Sequence, residues 1–375
     1  MKKIVAVDFF DLVWLQPERL FSVQDIDDLF ARYAEYNVDS VLWRISLCGK
    51  MLCHTATPDQ FKYIPGDKSL AHKHCSELLE QYDPASTAVA MGKKYGVDVY
   101  FWVTLYDDAG YASDFQAAES SICREHPEFS WRSKDGKSFY HGVLSYTYPE
   151  VVEFRLRQLR ELVALGGAGL YLCNRSHSRS PEIRKAMQAH AVNGDYGKTW
   201  ISANRDFIQK EFVRCRGLFG YDPPALATYH GDLDDTVAWQ KHRGTYFIDF
   251  MKKVKALNPG KLWFGLRYAP NFGPYIYGDH FFDWEKLTDG TLVDGLAYDV
   301  QPPDFDKESD YPEFYRETAG KKFVWMSLDK KNPQWLLNFY ADSLARWRPH
   351  MDGLILFEAY QMTANQEYWD FIKNF

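Results

Sequence analysis

Short apolar or aromatic runs alternate along the chain with longer amphipathic stretches. The runs Ile4–Asp8, Ser40–Ile45, Val97–Thr104, Gly169–Cys173, Leu262–Tyr268, Gly295–Val300, Phe323–Ser327 and Gly353–Phe357 have the continuous hydrophobicity of strands covered on both faces. Between them, "VQDIDDLFARYAEYN", "PEVVEFRLRQLRELVAL", "TVAWQKHRGTYFIDFMKKVKAL" and "NPQWLLNFYADSLARW" place apolar residues three and four apart, as helices with one buried face do. Strand, helix and strand in regular order predicts parallel pairing through right-handed crossovers. Eight such units predict an α/β fold of the (β/α)8 TIM-barrel type, a single domain over residues 1–375, in preference to an open doubly wound sheet. No GxGxxG follows the first run, which argues against a dinucleotide-binding fold.

Two details refine the barrel. Helices end in a small step before the next strand in "YNVDSVLW", "YGVDVYFW", "TLVDGLAY" and, in variant form, "PHMDGLIL", which predicts an acidic residue at the bottom of the strand acting as a stability device. Two connections are too long for simple turns: Tyr106 to about Tyr148 after the third strand, and Asn174 to about Asp235 after the fourth. Both leave from strand C-terminal ends, where barrels place their functional loops, so they are expected to wall a cleft.

Composition changes the picture in three ways. Aromatic residues make up 17% of the chain (25 Tyr, 26 Phe, 12 Trp), so some rings fill the core and others are available to stack on sugar faces. A net charge of −7 without a basic stripe argues against a nucleic-acid partner. The N-terminal "MKKIVAVDFFDLVW" is interrupted by Asp8 and Asp11 and reads as the first strand, not a signal peptide, and no apolar window is long enough to predict a membrane partner. The six cysteines show no CxxC spacing and read as reduced buried thiols, with one disulfide as the minority alternative. A cytoplasmic location is the expectation, replaced by a secreted or periplasmic one where a signal peptide has been removed.

The predicted strand ends bring a distinctive set of side chains to one mouth. In order they are Asp8; Trp43 and Arg44; Thr104, Tyr106 and Asp107; Asn174 and Arg175; Arg267 and Tyr268; Tyr298 and Asp299; Asp329; Glu358 and Tyr360. The fourth loop adds His177, His230, Asp232, Asp234 and Asp235. Carboxylates, arginines and rings together suit a polyhydroxylated substrate. Each has a plainer alternative. Asp8 can close the barrel end through a buried hydrogen bond to backbone or to an arginine, Arg44 can neutralise a neighbouring carboxylate, and "YHGDLDD" can be a polar turn with Asp234 or Asp235 as a helix cap. Asp107 and Asp108 read as a solvated loop pair. For a metal the pattern is poor: "AHKHC" (His72, His74) reads as a surface helix and no HExxH occurs, so neither metal nor cofactor is expected. No GxSxG suggests a serine nucleophile, and "ALGGAG" precedes a strand where a phosphate cradle needs a helix.

Across nearly its whole length the chain resembles the family-10-like glycosyl hydrolase group of bacterial barrel hydrolases. The residues that carry the resemblance are "YGVDVYFWVTLYDDAG", "HPEFSW" (His126 to Trp131), the fourth-strand end, "FGYDPP" (Phe219 to Pro224), "WQKHRG" (Trp239 to Gly244), "LVDGLAYD" and "MDGLILFE". A more distant similarity is to barrel endo-fucanases that cut sulfated fucan. The resemblance implies a glycosidase with its acids on the strand ends and fourth loop. In that group the fourth strand usually finishes in an acidic residue, whereas here Asn174 stands before Arg175. An amide can neither attack an anomeric carbon nor donate a useful proton. The substitution is engineered, or natural with the work done by other carboxylates, or a sign of lost activity. The working assignment puts the nucleophile or its remnant at Asn174 and the general acid/base at Asp232, with Asp299 and Glu358 as the alternative pair. Arg44, Arg175, His177, His230 and Arg267 would bind hydroxyls or an anionic, sulfated or uronic, substituent, and Asp8 would accept from hydroxyls. Trp43, Tyr106, Tyr268, Tyr298 and Tyr360 would line sugar subsites. A non-catalytic glycan-binding barrel and a metal-dependent sugar isomerase or lyase are the competing classes.

Overall fold

The computed structural model describes residues 1–16, 18–67, 69–109, 118–174, 180–190, 203–204, 206–207, 210, 218–266, 286–287, 289–300, 319–329 and 331–375. Its strands are β1 (Lys2–Asp8), β2 (Ser40–Arg44), β3 (Ser46–Leu47), β4 (Lys50–Met51), β5 (Asp98–Thr104), β6 (Ser130–Arg132), β7 (Phe139–Leu144), β8 (Gly169–Cys173), β9 (Lys261–Leu266), β10 (Gly295–Val300), β11 (Lys321–Ser327) and β12 (Gly353–Phe357). Eight of them close a barrel in the order β1, β2, β5, β8, β9, β10, β11, β12, with β1 returning to β12. Each neighbouring pair is parallel, as the alternation of strands and helices predicts. The other four strands form two antiparallel hairpins in the loops, β3 with β4 and β6 with β7.

Alternation along each strand divides the core in two. Ile4, Ala6, Leu42, Tyr100, Trp102, Tyr171, Cys173, Trp263, Ala297, Phe323, Trp325 and Ile355 fill the barrel interior. The intervening residues, such as Val5, Val7, Val41, Trp43 and Phe101, pack outward against the helices. Much of the aromatic excess is therefore structural: Tyr100 stacks on Trp263 with centroids 3.8 Å apart, and Trp102 meets Trp325 edge-on at 5.2 Å. Gly265 makes this filling possible, because a Cβ there would lie 2.1 Å from the Tyr171 hydroxyl.

At the bottom of the barrel three of the predicted aspartates cap neighbouring strands. Asp39 Oδ2 accepts the backbone N–H of Lys3 at 2.7 Å, Asp294 Oδ2 that of Leu262 at 2.8 Å, and Asp352 Oδ2 that of Lys322 at 2.9 Å. Each satisfies a donor at a strand start that no ladder partner reaches. Asp98 does not follow them; its exposed carboxylate lies 3.4 Å from Lys2 Nζ. The helix Val23–Glu35 starts with a capping box in which Ser22 accepts from the Asp25 N–H and Asp25 accepts from the Ser22 N–H. Among the described residues, the five cysteines Cys48, Cys53, Cys75, Cys123 and Cys173 are buried and unbridged, and no helix is long and apolar enough to cross a membrane. The helix Leu70–Gln81 is less superficial than its sequence suggests: His72 is fully buried, with Nδ1 2.5 Å from Asp67 Oδ2 and the Phe10 and Phe61 rings beside it.

Candidate active site

The described part of the barrel mouth centres on Arg44. Leu42 faces the interior, so Arg44, two residues on, does too, with its guanidinium carbon 5.4 Å from the Trp102 ring centroid. Nη1 donates to Asp8 Oδ2 at 2.5 Å and Nη2 to Asp107 Oδ2 at 3.1 Å. All three side chains are buried. Burial works against the Arg44 charge, but Asp8 and Asp107 more than offset it and raise the guanidinium above its ordinary pKa. The arginine is thus held inside the protein by two carboxylates and is not available to grip an anionic substituent, which corrects the expectation that it binds ligand directly.

Asp107 and Asp108 are also unlike the solvated pair expected. Both are buried, and Asp108 takes two bonds from Arg155 Nη2, at 2.7 and 2.9 Å. Burial pushes the Asp108 carboxyl up to about 6, with Arg155 pulling in the opposite direction. Arg155 comes from the helix Pro149–Ala164, so this pair ties the third strand's loop to the helix that follows it.

Carboxylates gather on the other side of the mouth. Asp8 at the end of β1, Asp11 in the helix Phe9–Trp14 and Glu358 just beyond β12 bring carboxylate oxygens within 4.8 Å of one another. Tyr360 borders the group. Its hydroxyl is raised above its usual pKa by burial and then by the charges of Glu358, Asp11 and Asp329, and its ring lines a groove of about 390 Å³ with Leu12, Phe21 and Arg32. Asp11 was not singled out as a site residue by the sequence; its signal is the D-x-x-D spacing at a strand-to-helix junction, which puts two acids on one side.

Other predicted site residues stand elsewhere. Trp43 follows Leu42 and so faces outward; it is fully buried against Phe9 and Phe30, with centroids 5.5 and 5.9 Å away, and cannot line a subsite. Tyr106 is buried among Trp131, Tyr146 and Phe247, so it too belongs to the core. Asn174 is buried immediately past the inward-facing Cys173, and its N–H reaches the Gly265 carbonyl at 3.4 Å. His230 and Asp232 are exposed, and Asp232 Oδ1 accepts from the Asp234 N–H at 2.8 Å in a local turn. Asp235 caps the helix Thr236–Ala256 by accepting from the Ala238 N–H. Asp329 Oδ1 accepts from the Lys331 N–H at 2.8 Å. Arg175, His177, Arg267 and Tyr268 lie outside the described residues, as do the side chains of Tyr298 and Asp299.

Three of the motifs behind the family resemblance meet at one buried carboxylate. Asp222 of "FGYDPP" accepts from the backbone N–H of Arg132 at 2.8 Å, just after "HPEFSW", from Ser145 Oγ at 2.6 Å, and from Arg243 of "WQKHRG" at 3.3 Å. Arg243 lies over the Trp131 ring at 4.9 Å, and Trp239 stacks on Tyr221 at 5.3 Å. Burial raises Asp222 and lowers Arg243. This hub locks the β6–β7 hairpin to the end of the fourth loop.

The closed parallel barrel with its chemistry-bearing mouth is a (β/α)8 TIM barrel. Among solved structures the chain is similar to the catalytic domain of a beta-amylase from Paenibacillus polymyxa, with a TM-score of 0.54 and 9% identity over 100% of this chain and 98% of that one. It is also similar to a GH20 exo-beta-N-acetylglucosaminidase from Vibrio harveyi in complex with N-acetylglucosamine, with a TM-score of 0.51 and 11% identity over 99% of this chain and 53% of that one. The chain therefore spans about half the length of the Vibrio protein. At these identities the likeness is one of fold. No protein-family model matches the chain, and no curated protein does.

Proposed function

We propose that this chain is a glycoside hydrolase acting on an oligo- or polysaccharide, with Glu358 as general acid/base. The observation that carries the reading is the approach of the Asp8, Asp11 and Glu358 carboxylate oxygens to within 4.8 Å at the C-terminal end of the barrel. Retaining glycosidases need two carboxyl groups about 5 Å apart, one to attack or stabilise the anomeric carbon and one to move the proton. Asp8, ion-paired with Arg44, suits the charged role. Glu358 suits the proton-transferring one. The two structural neighbours, named for a beta-amylase and a beta-N-acetylglucosaminidase, support carbohydrate as the substrate class.

The finer assignments are tested with it. Asp299 is the other partner the sequence offers Glu358, and Asn174 with Asp232 is the pair implied by the family-10-like resemblance. An anionic, fucan-like substrate would rely on Arg175, His177 and Arg267, since Arg44 is already occupied. The experiment is hydrolysis of neutral, uronic and sulfated glycans by the native chain and by Asp8→Asn, Glu358→Gln, Asp299→Asn and Asn174→Asp. Turnover lost in both Asp8→Asn and Glu358→Gln supports the proposed pair. Loss in Asp299→Asn with Asp8→Asn active moves the partner role to Asp299. Activity appearing only in Asn174→Asp returns the chemistry to the fourth strand. Silence in every chain on every glycan favours a glycan-binding barrel.

A further inference from the structure

A second cluster with the chemistry to hold a ligand lies away from the carboxylates of the mouth, in the extension after the third barrel strand. Glu119 precedes the helix Ser121–Glu125, Cys123 sits within it, and His141 is on β7. His141 Nε2 lies 2.5 Å from Glu119 Oε1, and Cys123 Sγ lies 3.7 Å from Nε2 and 3.8 Å from Nδ1. One donor atom from each residue falls within 4.8 Å of the other two. Cys123 is wholly buried, while the His141 and Glu119 side chains keep 26% and 13% exposure, which leaves a path from solvent to the donor atoms.

We propose that Glu119, Cys123 and His141 form a zinc-type site with three protein ligands and an open fourth position. Thiolate, imidazole and carboxylate are the donor set of tetrahedral Zn²⁺, whose bonds of about 2.0–2.3 Å place ligand atoms roughly 3.4–3.6 Å apart. Cys123 Sγ lies beside the ring, nearly equidistant from its two nitrogens, so on binding it has to move toward the Nε2 side while the His141–Glu119 contact opens by about 1 Å. On binding, the Cys123 S–H bond breaks, Sγ becomes a thiolate ligand and its proton leaves to solvent, while the proton held between His141 Nε2 and Glu119 passes to Nδ1 as the neutral ring changes tautomer. Thiolate and carboxylate balance the two positive charges of the ion.

The fourth ligand is then an anion. Arg184, on the helix Pro181–His190, stands near Cys123 and Glu119, and its Nη1 is buried without a hydrogen-bond partner. A guanidinium beside a neutral metal centre favours hydroxide or a carboxylate at the open position over a neutral ligand. The bound ion would join the helix that carries Cys123 to the β6–β7 hairpin through His141.

The test is titration of the metal-free full chain with Zn²⁺ against a chromophoric chelator, repeated with Co²⁺ to read the thiolate-to-cobalt charge-transfer band. We expect one equivalent bound per chain and a charge-transfer band that Cys123→Ser abolishes. His141→Ala should weaken affinity by more than the roughly 10–100-fold that losing even an outer partner costs. A thermal melt of each variant without metal separates lost ligation from lost folding, and Glu119→Gln gives a second, milder disruption. Absence of stoichiometric binding by the folded native chain would overturn the proposal. So would binding that survives Cys123→Ser and His141→Ala with an unchanged cobalt spectrum, or binding lost in Glu358→Gln instead, which would place the ion at the mouth.

Discussion

Aspartates stand at both ends of this barrel, and the two ends use them in opposite ways. At the bottom, Asp39, Asp294 and Asp352 each accept one backbone N–H from the neighbouring strand, with lysines close to two of them, Lys255 to Asp294 and Lys321 to Asp352. Their environment is partly wet and their partners are fixed by the strand ladder. At the top, Asp8, Asp107 and Asp108 are buried and depend on guanidinium groups that arrive from β2 and from the helix Pro149–Ala164. A carboxylate tied to backbone does little beyond closing a strand end. Of the buried three, Asp8 alone also has further acids, Asp11 and Glu358, within 4.8 Å. The same residue type closes strand ends where the backbone satisfies it and holds separate elements together where guanidinium groups do.

The largest expected effect separates chemistry from stability. On the proposed reading, Glu358→Gln removes the general acid/base and should lower turnover by about 10²–10⁴-fold, the usual contribution of such catalysis, while the melting temperature stays nearly fixed. A large drop in melting temperature would instead make Glu358 a structural acid like those at the bottom. Arg155→Met tests the buried top pair. It leaves Asp108 without its partner and should cost about 3–5 kcal/mol in denaturant unfolding, the range for breaking a buried ion pair from one side. A loss under about 1 kcal/mol would mean that water reaches Asp108. Asp352→Ala probes the bottom. It orphans the Lys322 N–H and should cost about 1–2 kcal/mol with turnover unchanged.

How much of this was legible in advance depends on the range of the interaction. The strands were, because an apolar run needs no distant partner to be recognised, and the bottom aspartates recur in four sequence steps. The direction of a side chain was only half legible: Trp43 and Arg44 are consecutive, so only one of them can face the interior, but it takes the observed inward-facing Leu42 to decide which. Pairings across the fold were not. Nothing near "YDD" announces that Arg155 will bury Asp108, and nothing near "ESSICRE" or "FYHGVL" announces that Cys123 will meet His141. "HPEFSW", "FGYDPP" and "WQKHRG" were visible as motifs, yet their meeting at Asp222 belongs to the assembled loops and makes them a structural lock in place of a reactive centre.

The smallest effect, and the one that bears most directly on the contrast between the two ends, is the response to pH. Asp108 is raised to about 6 by burial, so between the ordinary carboxylate value near 4 and 6 the folded chain binds a proton that the unfolded chain does not. Stability from this group therefore falls as pH rises through that window, by about 1 kcal/mol between pH 5 and 7. Asp294 has the opposite sign. Burial alone would raise it, but the Leu262 N–H and the lysines Lys255 and Lys261 hold it below its ordinary value, so its contribution is present above about pH 4 and is lost on acidification. Being partly exposed, it should be worth well under 1 kcal/mol. Denaturant midpoints measured from pH 2.5 to 7 for the native chain, Asp108→Asn and Asp294→Asn read the two separately. Asp108→Asn should reduce the downward slope between pH 5 and 7, leaving the part that Asp222, also raised by burial, contributes, and Asp294→Asn should leave that slope and flatten the acid limb below pH 4. A downward slope unchanged in Asp108→Asn would mean that this top carboxylate ionises as freely as the bottom ones, and the physical distinction between the two ends of the barrel would fail.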